Sequence, residues 1–191
     1  WKTRDGKVMY NTGDVAHRYL DGTETTDDDG VSPKNLHVSL VGDELRYANQ
    51  NASRVFAVSG KDRGAILLAG KTGTAYMYST KTGRFTSTSY YMPKHPDWWE
   101  QYYAGSPQHQ YFHKSWNLLL EPKAYKRSVP EGQPWGAVYN GMTSKMGYVY
   151  GGADSTPGRI YYRMLLPSPY GDEMTAEFAT TLLKSEQVGR N

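Results

Sequence analysis

Residues 54–60, RVFAVSG, contain a run that is apolar at every position from Val55 to Val58. A half-buried strand alternates apolar with polar, so an unbroken apolar strand is one buried on both faces, as in a parallel sheet. The residues that follow, DRGAILLAG (62–70), read as a short helix stopped by Gly70. Ahead of the strand, SPKNLHVSLVGDELRYANQ (32–50) reads as another helix. Ser32 suits its N-cap and Pro33 its first turn, and Leu36, Leu40, Val41, Leu45 and Ala48 fall on one face, with Gly42 a weak point. Helix, strand, helix in that order implies an α/β layer fold.

The flanks divide by texture. Residues 1–31 read as irregular, with TETTDDDG (23–30) a solvated loop whose three Asp lack the ligand order of a calcium-binding EF-hand. TAYMYSTKTGRFTSTSYY (74–91) pairs two alternating segments, Tyr76/Tyr78 and Phe85/Ser87/Ser89, around TKTG, which predicts a β-hairpin. HPDWWEQYYAG (95–105) reads as a short aromatic helix. Residues 106–158 are rich in Pro and Gly and read as an insertion lying over a larger body. GRIYYRMLL (158–166) reads as a strand. SPYGDEMTAEFATTLLKSEQVG (168–189) is the last helix, with Met174, Phe178 and Leu182 recurring every four residues and Gly189 as its stop. This gives an α/β core portion at 1–73, a hairpin and irregular insertion or cap at 74–158, and a return to the core at 159–191. A strand is the natural next element after the last helix, so a continuation is expected.

The apolar content of the 191 residues is only 38%. Tyr (17 residues) and Trp (5 residues) must fill much of the core, which requires partners for their polar tips. A net charge of +3 argues against a nucleic-acid polymer as partner. No apolar stretch reaches the roughly 18 residues of a membrane-spanning helix. The absence of Cys excludes disulfides and thiolate metal sites.

The join between strand and helix carries the chemistry. Lys61, Asp62 and Arg63 interrupt two apolar runs. If 59–63 stay extended, Lys61 and Arg63 share one side. Ligands of open α/β sheets bind beyond the carboxyl ends of strands, where a following helix adds its positive end. A Lys point charge beside the planar fork of Arg suits a doubly charged oxyanion. The same three residues also suit a surface turn in which Asp62 caps the helix. His109 and His113 are spaced like zinc ligands but lack a third ligand and read as ordinary surface. His17, His37 and His95 are isolated and read as packing or surface residues. Trp98, Trp99, Tyr102 and Tyr103 read as packing, with ring-stacking on a sugar or base as the alternative. No Gly-x-Ser-x-Gly nucleophile elbow is present.

SPKNLHVSLVGDELRYAN, SRVFAVSGKDRGAILLAG, TAYMYSTKTGRFTSTSYYM and PSPYGDEMTAEFATTLLKSE, in that order and spacing, resemble the middle of the alkaline phosphatase superfamily. The likeness is to its type I phosphodiesterase/nucleotide pyrophosphatase-like branch, and within it to bacterial alkaline phosphatases with a Lys/Arg phosphate clamp. It is weakest at 105–158. The resemblance implies a three-layer α/β/α sandwich with an aromatic-rich insertion, of which this chain is an interior fragment. It implies a phosphatase with two zinc ions and a Thr or Ser nucleophile, in which Lys61 and Arg63 contact the phosphoryl oxygens of a small-molecule phosphate ester. No residue here matches the nucleophile, expected upstream, or the metal ligands, so the segment is expected to be inactive alone and to need the remainder of its own catalytic domain. The added cation pair favours monoesters. The alternatives are a phosphodiesterase or nucleotide pyrophosphatase, or a non-catalytic aromatic carbohydrate-binding module. The family implies a periplasmic or secreted location.

Overall fold

The computed structural model describes residues 2–6, 8–23, 30–135 and 145–189, so nearly all of the loop expected at 23–30 lies outside the described residues. The N-terminal stretch is more ordered than its composition implies. Strand β1 (Gly13–Arg18) pairs antiparallel with the two-residue β2 (Gly30–Val31).

The helix expected over 32–50 is shorter than its apolar spacing implies. Ser32 does act as a cap, its hydroxyl accepting from the Lys34 N–H, but it caps a single 3-10 turn (Pro33–Asn35) that ends at extended Leu36. Helix α1 (Val41–Ala48) begins only where the Asp43 carboxylate accepts the Leu40 N–H, 3.1 Å away. Its supposed core face points to solvent, with Val41 88% and Leu45 50% exposed.

Strand β3 (Phe56–Ser59) and strand β4 (Thr74–Ser79) are parallel neighbours, with Ala57 opposite Ala75 and Val58 opposite Tyr76. Helix α2 (Asp62–Ala69) connects them. Strand β5 (Arg84–Thr86) turns back antiparallel on β4 as the hairpin reading requires, so β4 is the middle strand of the sheet. Alternation sends successive side chains to opposite faces. Ala57, Ala75 and Met77 meet Ala65, Ile66 and Ala69 of α2, where small side chains let helix and sheet approach closely. Phe56, Val58, Tyr76, Tyr78 and Phe85 face the other way, into an aromatic layer.

That second layer is built by helix α3 (Asp97–Ala104), helix α4 (Arg159–Leu165) and helix α5 (Pro169–Ser185). Between α3 and α4 lies the two-residue pair β6 (Ser115–Trp116) and β7 (Tyr148–Val149). The three layers are those of an α/β/α sandwich. The strand expected at 158–166 is α4: Tyr161, Tyr162, Met164 and Leu165 are buried while Ile160 and Arg163 are exposed, a helical rather than alternating order. Helix α5 buries Met174, Phe178 and Leu182 as their spacing predicts, and it closes at Ser185, ahead of Gly189.

Phe178 is the centre of the aromatic layer. It stacks on Phe85 with centroids 4.9 Å apart and meets Tyr76 edge-on at 5.3 Å. Trp99 and Tyr103 are buried, and Trp98 and Tyr102 pack beside Phe178, so these four rings serve the core and do not form an open stacking platform. Their polar tips also finish the sheet. Trp99 Nε1 donates to the Phe85 carbonyl (2.6 Å), and the Tyr103 hydroxyl accepts the Phe85 N–H (2.7 Å). The outer edge of β5 is thereby closed by side chains in place of a further strand. Tyr78 donates to the Tyr162 carbonyl (3.0 Å) and Tyr161 to the Gln108 carbonyl (2.9 Å), so these tips find the partners that a Tyr-rich core needs.

A second constraint ties α1 to the sheet. The fully buried Asp43 carboxylate accepts the Lys71 N–H (3.0 Å), the Thr72 N–H (2.9 Å) and the Thr72 hydroxyl (2.8 Å). Burial alone raises its pKa, but these hydrogen bonds outweigh burial and hold it below the usual carboxylate value. Gly70, at φ +72°, lies against this carboxylate, where a Cβ has no room.

Two outcomes are expected. Phe178→Ala should lower stability by about 3–5 kcal/mol, read from urea unfolding, because it empties a site that rigid neighbours cannot refill. His95 stacks on Trp99 at 3.9 Å and pairs its Nε2 with the Thr86 hydroxyl (3.0 Å). Burial pushes its pKa down from 6.5 to about 4. The unfolded chain therefore binds the proton more readily, and stability should fall as pH drops from 6.5 toward 4. His95→Phe should flatten the urea midpoint across that window; an unchanged slope contradicts the assignment.

Candidate active site

The parallel pair delivers its carboxyl ends to one edge. Beyond β3 the chain passes through Gly60, where a Cβ would stand 2.5 Å from Leu166 Cδ1, and enters α2. The Ser59 hydroxyl accepts the Lys61 N–H (3.2 Å) and steadies this entry. Lys61 is the extended N-cap residue of α2, while Asp62 and Arg63 already lie inside the helix. The alternation assumed for an extended 59–63 therefore fails at Asp62, because the helix starts there. Asp62 is not the cap but the first helical residue, where a carboxylate complements the helix dipole.

The two cations are both exposed and take different surroundings. Lys61 lines a cleft of about 580 Å³ with Thr80, Arg163, Asp172 and Thr175 among its other polar walls. Arg63 turns to the N-terminal stretch, where its Nη1 donates to the Tyr10 hydroxyl (3.2 Å). That hydroxyl donates in turn to Asp62 Oδ1 (2.9 Å), and Thr12 donates to Asp62 Oδ2 (2.6 Å). Asn35 Nδ2 reaches the Tyr10 and Gly13 carbonyls, both at 3.4 Å, so the turn carrying Tyr10 is held from behind. Burial and the Asp62 carboxylate raise the Tyr10 pKa, which keeps the phenol protonated and able to bridge the two charges. Tyr10 and Thr12 were missed in the sequence. Their partner lies 50 or more positions away, and nothing local marks them.

The remaining candidates scatter. His109 pairs with the Tyr162 hydroxyl (2.9 Å) and His113 with the Asp154 carbonyl (3.0 Å), so the two take separate partners. His17 lies edge-on to the Tyr90 ring at 5.2 Å, and exposed His37 lines a groove beside Tyr10. Among the described residues, no three His, Asp or Glu side chains stand close enough to share a metal ion.

No protein-family model matches the chain. Known relatives nevertheless cover most of it. Alkaline phosphatase PhoV of Synechococcus elongatus is 36% identical over 162 residues, 84% of this chain and 29% of its own length. A protein named calcium-transporting ATPase from Myroides odoratus is 29% identical over 97% of the chain. Alkaline phosphatase PafA of Elizabethkingia meningoseptica is 29% identical over 96%. The solved structure of a PafA variant superposes with a TM-score of 0.84 and 26% identity, across 96% of this chain and 35% of that one. The chain belongs to the alkaline phosphatase superfamily. It spans about a third of the length of the curated relatives it matches. The PafA variant carries alanine in place of a lysine and an arginine two positions apart, the spacing of Lys61 and Arg63.

Asp62→Ala should strip two hydroxyls of their acceptor and loosen the Tyr10 turn from α2. A loss of about 1–3 kcal/mol in thermal or urea unfolding is expected; a variant as stable as the parent contradicts the tie.

Proposed function

We propose that this chain forms the phosphoryl-holding part of a zinc-dependent phosphatase that hydrolyses phosphate monoesters through a Thr or Ser phospho-enzyme, in a periplasmic or secreted setting. Lys61 and Arg63 bind the phosphoryl oxygens. The observation that carries this reading is their position: two exposed cations at the start of α2, just beyond the carboxyl end of a parallel strand, in a chain related to alkaline phosphatases. Phosphoryl transfer spreads negative charge over the equatorial oxygens, so fixed positive groups around them stabilise the transition state. Lys61 supplies a compact charge. A guanidinium carries five N–H donors, and the Tyr10 hydroxyl takes one from Nη1 while fixing the plane of the fork. The N-terminal N–H groups of α2 add their partial positive charge. The roles proposed for Lys61 and Arg63 are electrostatic and positional; the family implies a zinc centre, and among the described residues no three His, Asp or Glu side chains stand close enough to share a metal ion.

In the complete protein, Arg63→Ala should reduce kcat/KM on an aryl phosphate monoester by about 100-fold, or ~3 kcal/mol, by analogy with deleting one oxyanion donor. The loss on the matching diester should be smaller, because its phosphoryl group carries less charge. Parity with the parent on the monoester ends the proposal. A larger loss on the diester favours the phosphodiesterase reading.

A further inference from the structure

We propose that the apolar groove beside Arg63 seats the leaving group of the ester, and that it selects monoesters of aryl or other compact apolar alcohols. This rests on the phosphoryl role of Arg63. The groove has a volume of about 460 Å³, and its walls include Met9, Tyr10, Leu36, Val38 and Leu67. Two links join it to the cation. Leu67 follows Arg63 by four positions on α2, and residues so spaced are neighbours on one helix face, roughly 6 Å apart. Tyr10 is one of the groove's walls, and its hydroxyl accepts from Arg63. An occupant that satisfies both must be anionic at one end and apolar at the other, which is the chemistry of an aryl phosphate. The cleft on the Lys61 side mixes Val58, Leu166 and Pro167 with Thr80, Arg163, Asp172 and Thr175, whereas the groove beside Arg63 is mainly apolar, with Asn11, Asn35 and His37 as its polar walls. In this chain Met9 and Val38 are 40% and 62% exposed, so a ring seated in the groove has apolar surface to cover. Covering roughly 60 Å² of such surface corresponds to about tenfold in affinity.

The test compares 1-naphthyl phosphate with glycerol phosphate in the complete protein, using the uncharged replacements Val38→Ser and Leu67→Ala. Circular dichroism checks the fold of both variants. Each variant should lose about 5–10-fold in kcat/KM on naphthyl phosphate. Change on glycerol phosphate, and in inhibition by inorganic phosphate, should stay below about twofold, since neither probe reaches the groove. Equal losses on both esters, or no loss on either, overturn the groove assignment. A parent protein that hydrolyses neither ester overturns the phosphatase reading itself, and that result appears before any variant is made.

Discussion

Strand β4 lies in the middle of its sheet and is buried along both faces. Everything that positions the candidate site follows from how its two faces are filled. One face, with Ala75 and Met77, accepts α2 at close range; the other, with Tyr76 and Tyr78, meets the aromatic layer around Phe178. A strand packed this way cannot slip by one residue without exchanging its small and large faces. The register with β3 is therefore set, and with it the point where β3 ends and Lys61 begins. The cations sit at the sheet edge because helix packing one layer away leaves α2 nowhere else to start.

Two polar clusters complete that placement. Asp43 gathers the N–H groups of the α2–β4 turn and so secures the far end of α2. Asp62 gathers Tyr10 and Thr12 at the near end and presents Arg63 to the bridging phenol. The helix is held at both ends by a carboxylate accepting hydrogen bonds from donors distant in the chain. The site edge itself carries mixed walls on the Lys61 side and mainly apolar walls on the Arg63 side. Under the proposed phosphatase function, this asymmetry gives a bound ester a direction across the helix start.

The parts of this arrangement that were legible in the sequence are local. The apolar run at 55–58, the helix over 62–69, the TKTG hairpin and the four-residue spacing of α5 each express a period within a few residues. The KDR cations stood out because charge interrupts two apolar runs. What failed depended on distant partners. Helix α1 starts late because Asp43 is drawn to Lys71 and Thr72 and takes the Leu40 N–H with it. Apolar spacing alone ran that helix back to Ser32. GRIYYRMLL looked like a strand because aromatic and β-branched residues favour strands. Burial of Tyr161, Tyr162, Met164 and Leu165 under one layer overrides that preference. Tyr10 was invisible for the same reason: its role exists only once Arg63 is folded against it.

The most direct test is a crystal structure of the complete protein with inorganic phosphate bound. The account predicts phosphate oxygens within hydrogen-bonding distance of both Lys61 Nζ and the Arg63 guanidinium, above the first turn of α2. A phosphate held elsewhere, with both side chains left in solvent, contradicts it.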